Sequence, residues 1–144
     1  MRRAAIRIFR MLGAGACLLT TMAHGAGSWV ATAPALQAAL VERPVASAPL
    51  APPDPALARG QMMGQVSWQF QPPSGVEVNA ALCHLGGCVR LPAPRGHTEA
   101  LAGLPADTTL HFEFSLLDRR QRVVTLQGLQ VIVNHAHDET LRNR

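Results

Sequence analysis

Hydrophobic and polar residues take turns along most of the second half of the chain. Val66, Trp68 and Phe70 alternate with Ser67, Gln69 and Gln71. Val76, Val78, Ala80 and Leu82 alternate with Glu77, Asn79 and Ala81, and Leu110, Phe112, Phe114 and Leu116 with His111, Glu113 and Ser115. Period two marks a strand with one buried face, and no window shows the 3.6-residue period of an amphipathic helix of ordinary length. Turn residues punctuate the pattern at Pro72 to Gly75, Gly86-Gly87, Gly103 to Asp107 and Asp118 to Gln121. The strands this predicts are 66–70, a hairpin over 76–91, a short one near 98–101, then 110–116, 122–127 and a last one carrying Leu129, Val131 and Val133. Strands recurring about every ten residues with turns between them predict an all-β fold, a small antiparallel β-sandwich.

The hairpin specifies its own register. If Cys83 faces Cys88, then Leu82 faces Val89, Ala81 faces Arg90 and Ala80 faces Leu91, so one pairing satisfies both a disulfide and an apolar core face. The bridge then lies on the outer face. A loop this short contributes about 2 kcal/mol through chain entropy, so its main effect is to pin register.

The first half reads differently. Arg2, Arg3, Arg7 and Arg10, an apolar run from Met11 and small residues up to Ala26 make a secretory signal peptide over residues 1–23, with cleavage as late as 26. Ala14 and the apolar run beyond Cys17 argue against a lipoprotein leader. Trp29 stands just inside the mature end as a core anchor. Pro44, Pro49, Pro52, Pro53 and Pro55 forbid a long helix or a central strand, so 44–59 reads as an extended crossover preceded by one edge strand over 36–41. The sandwich domain spans 24–134, and 135–144 is a polar tail. No later stretch has the roughly 18 apolar residues of a transmembrane helix.

Export changes the charge argument. The net charge of +4 and the pI near 10.2 arise from 13 basic and nine acidic residues, and four of the basic ones lie in the leader. The mature chain is near neutral, which removes the electrostatic footprint of a nucleic-acid binder. Cys17 leaves with the leader, so Cys83 and Cys88 remain as an even pair in an oxidising compartment.

Few residues offer chemistry. Cys83 and Cys88 are too far apart for the Cys-x-x-Cys redox motif, and His84 inside their loop reads as solvated. His135, His137, Asp138 and Glu139 form a ligand-rich end without convergent partners, so a frayed polar terminus is the plainer reading. Trp29 and Trp68 suggest a sugar platform, although Trp68 shares the inward face of Val66 and Phe70. Arg119, Arg120 and Arg122 crowd one turn and are the candidate partner contact. The motifs Gly-x-Ser-x-Gly and His-Glu-x-x-His are both absent, and no residues are assigned to catalysis, a cofactor or a metal.

Several segments together resemble the FlhE family of flagellar proteins: GSW after the leader, VSWQF, CHLGGCV, HTEALAGLPADTTLHFEF and LQVIVN, in family order. The resemblance implies a periplasmic accessory of flagellar assembly with an effect on swarming. It implies action near the type III export gate, limiting proton leakage, or as a chaperone for an exported rod or hook component. It brings no cofactor or catalytic residue, and only Cys83 and Cys88 map onto it as a structural pair. The alternative from the residues alone is an exported β-sandwich that binds a glycan or a metal.

Overall fold

A computed structural model describes residues 27–136. The stretch read as a signal peptide, and His137 with the acidic pair after it, lie outside the described residues. The elements are β1 (Ser28–Ala33), β2 (Leu36–Ala38), β3 (Val45–Ala46), α1 (Pro55–Ala58), β4 (Met63–Gln71), β5 (Asn79–His84), β6 (Gly87–Leu91), β7 (Arg95–Thr98), β8 (His111–Ser115) and β9 (Val124–His135). One sheet has the order β1-β9-β4-β7, with β2 paired further along β9; the other is β3-β8-β5-β6. The strand pairs are antiparallel, and the two sheets make the expected β-sandwich.

The sheets meet through the residues that the alternation singles out. Phe70 from the larger sheet packs edge-on against Phe114 at 5.0 Å and Phe112 at 6.2 Å from the smaller one. Leu82, Leu110, Val66, Leu126, Val131 and Val133 are fully buried around them. Each such side chain contributes about 1.5–3 kcal/mol by leaving water, which makes this cluster the main term holding the layers together.

β9 is the spine of the larger sheet. It pairs with β4 on one side and with β1 and β2 in succession on the other. The sequence pattern divides this stretch into two strands, and the structure joins them. Val124 and Leu126 face the core, as do Leu129, Val131 and Val133, so the buried face changes parity between them. Gly128, at φ +61°, absorbs the extra residue as a bulge without breaking the strand.

Three other boundaries move. The strand placed at 98–101 is β7 at Arg95–Thr98, because Gly96 sits opposite Trp68 and leaves room for the indole. The edge strand stops at Ala38; the chain then crosses between sheets through Glu42, at φ +60°, and rejoins at β3. His135 belongs to β9 and is 6% exposed, so it is no part of a frayed tail: its N–H donates to the Gly27 carbonyl at 2.8 Å and it pairs with Met63. The proline-rich stretch stays extended as expected, apart from α1. That single turn starts with Pro55 and is capped by the Asp54 carboxylate, which accepts from the Ala56 N–H.

The strand directions separate two ends. The upper end carries the Leu85-Gly86 turn, the 99–110 loop, α1, and both termini of the described chain. The lower end carries the 39–44, 72–78, 92–94 and 116–123 connections.

Candidate functional site

The Cys83–Cys88 disulfide forms in the predicted register, with Leu82 opposite Val89, Ala81 opposite Arg90 and Ala80 opposite Leu91. It lies on the outer face, opposite the side taken by Leu82. Cys83 is nevertheless buried because β5 is flanked by β6 and β8, whereas Cys88, on the edge strand, is exposed. The Glu113 carboxylate lies within 4.8 Å of the sulfurs and sits 3.2 Å from His111 Nε2. Both sulfurs are committed to the bridge, which leaves no thiolate for a metal. His84 is held locally, its Nδ1 accepting from the Gly86 N–H at 3.1 Å.

Neither tryptophan offers a stacking face. Trp29 and Trp68 are each 6% exposed, and each indole N–H is spent on a backbone carbonyl: Ala106 at 2.7 Å and Ala93 at 2.9 Å. His135 carries a buried Nε2 without a hydrogen-bond partner among the described residues.

The basic turn is built more firmly than its sequence suggests. The Asp118 carboxylate accepts from the N–H groups of Arg120 and Gln121, and Gln121 Oε1 accepts from the Leu117 N–H. Gln121 Nε2 then donates to the Glu77 carbonyl at 2.8 Å, lashing the turn to the connection that leads into β5. Arg119, Arg120 and Arg122 are exposed around this frame, and among the described residues no ion pair engages them.

They are not isolated. Arg43, Arg90 and Arg95 also lie in the lower half, leaving Arg59 as the one described arginine at the upper end. Between Arg90 and Arg95, the Pro92-Ala93-Pro94 arch roofs two adjoining hollows of about 340 and 510 Å³ that share Phe70 and Pro72. This groove escapes sequence reasoning because its walls come from β4, the 72–78 connection and the β6–β7 crossover.

A family model for the flagellar protein FlhE matches residues 39–136. The chain belongs to the FlhE family. The match takes in four of the five segments that carry the resemblance, and starts after the GSW segment. A crystal structure of FLHE superposes with a TM-score of 0.68 at 25% identity, covering 78% of this chain and 99% of that one. No curated protein matches the chain. Among the described residues, no helix is long and apolar enough to cross a membrane.

Proposed function

We propose that this domain is a periplasmic accessory of flagellar assembly that acts by docking on another flagellar component and not by catalysis. Membership of a flagellar protein family, carried by the match over residues 39–136, is the observation on which the reading rests. The partner is an export-gate protein or an exported rod or hook subunit, and the outcome is either a limited proton leak through the export apparatus or a sheltered subunit, with an effect on swarming. The preorganised basic turn at Arg119, Arg120 and Arg122 supports contact, because five side-chain hydrogen bonds hold its backbone and lower the ordering cost at binding to that of the arginine side chains.

The test is a deletion strain scored for swarming and for periplasmic and cytoplasmic pH under acid challenge, with complementation by the full chain. Impaired swarming or acid tolerance, restored by the gene, supports the reading. Unaltered motility and pH homeostasis remove it.

A further inference from the structure

The groove beneath the Pro92-Ala93-Pro94 arch has the features of a binding site. Its floor is Phe70, the core ring at which the two sheets meet, and Val76 and Val78 line it half-buried. Pro72, Pro92 and Pro94 fix φ at three points of its wall, so the hollow exists before anything enters it. Arg90, from β6, lines the first hollow, and Arg95, from β7, lines the second. Both are exposed, and among the described residues no carboxylate pairs with either.

The other acids of this end do not cancel these charges. The Asp118 carboxylate is occupied by the backbone of its own turn, and Glu113, which lines a neighbouring hollow with Arg90, sits 3.2 Å from His111 Nε2. Glu77 does line the first hollow along with Arg90, and it makes no ion pair to it. Glu42, Glu77, Glu113 and Asp118 stand against Arg43, Arg90, Arg95, Arg119, Arg120 and Arg122, so the balance of this half stays positive, and Arg90 and Arg95 are the arginines that line the groove.

We propose that this groove binds an acidic peptide segment with an apolar middle, its aliphatic side chains over Phe70, Val76 and Val78 and its carboxylates on the guanidiniums of Arg90 and Arg95. Charge complementarity selects the occupant: a guanidinium matches a carboxylate with two parallel N–H donors, and two such groups beside Phe70, Val76 and Val78 favour a ligand that is anionic at its ends and apolar between. The inference deepens the docking reading by naming the surface and the chemistry of the partner, and it rests on that reading only for its biological meaning.

The experiment titrates isotope-labelled mature protein with a synthetic peptide of glutamates flanking leucine and valine, followed by amide NMR shifts. Shifts confined to the 70–80 and 90–95 segments are expected, weakening as salt is raised. Arg90→Ala with Arg95→Ala should weaken binding by at least about tenfold while the amide spectrum elsewhere stays native. Val78→Ser should weaken it independently of salt.

Equal binding of a peptide with lysines in place of the glutamates would overturn the proposal. So would shifts mapping elsewhere, or anionic phosphatidylglycerol vesicles binding through these arginines while the peptide does not. The titration uses purified protein, so its failure beside a motility defect in the deletion strain removes the groove and leaves the flagellar reading standing. A peptide that binds as expected beside an unaffected strain does the reverse.

Discussion

Gly96 lies directly opposite Trp68 in the β4–β7 pairing, and a Cβ on residue 96 would stand 2.6 Å from the indole Cζ2. The indole is pinned by its N–H···O bond to Ala93 and cannot retreat without giving that bond up. Gly96→Ala should therefore destabilise the domain by about 1–3 kcal/mol, an overpacking cost. Chemical denaturation checks this, and a Gly96→Ala protein as stable as the parent would show that the ring has room to move.

The disulfide should matter less than its place in the hairpin suggests. Cys83→Ala with Cys88→Ser should cost about 2 kcal/mol or less and leave a cooperative fold, since the pairing of β5 with β6 and β8 remains. Denaturation of the double variant, with intact-mass confirmation of the bridge in the parent, reads the effect. A variant unfolded in mild buffer would assign the bridge a larger part than pinning register.

Phe112 is fully buried against both Phe70 and Phe114. Phe112→Ala should lower stability by about 3–5 kcal/mol, through lost transfer energy and the cavity left behind. A melting temperature close to the parent's would contradict the packing described.

Arg119, Arg120 and Arg122 should behave in the opposite way. Replacing all three with alanine removes exposed charges that make no ion pair among the described residues, so thermal unfolding should be unchanged while complementation of a deletion strain fails. Full complementation by a stably expressed triple variant would take the turn out of the partner contact.

Trp29 closes the upper end by donating to the Ala106 carbonyl across 77 residues of chain. Trp29→Phe keeps most of the buried ring and strands that acceptor, which should cost about 1–3 kcal/mol. Hydrogen exchange of the 99–110 loop should rise with it; unchanged protection there would mean that the loop is held by other contacts.

How much of this was legible beforehand depended on the range of the interaction. The hairpin register, the inward faces of β4, β5 and β8 and the β-sandwich class follow from period-two alternation and a pair of cysteines a few residues apart, constraints that act between near neighbours. The same local logic identifies the proline-rich stretch as extended, because a missing N–H is a property of the residue itself.

Tertiary structure decided what depends on partners distant in sequence. Leu126 and Leu129 read as two strands until a bulge at Gly128 lets both face one core, and Gly96 reads as loop until Trp68 arrives opposite it. His135 looks like tail chemistry until Gly27 and Met63 close over it. The groove goes further, since Phe70, Val78 and Arg90 have no common pattern in the chain and become one surface only when two sheets are stacked. Alternation tells each residue which side of its own strand it occupies; only packing determines which strands share that side.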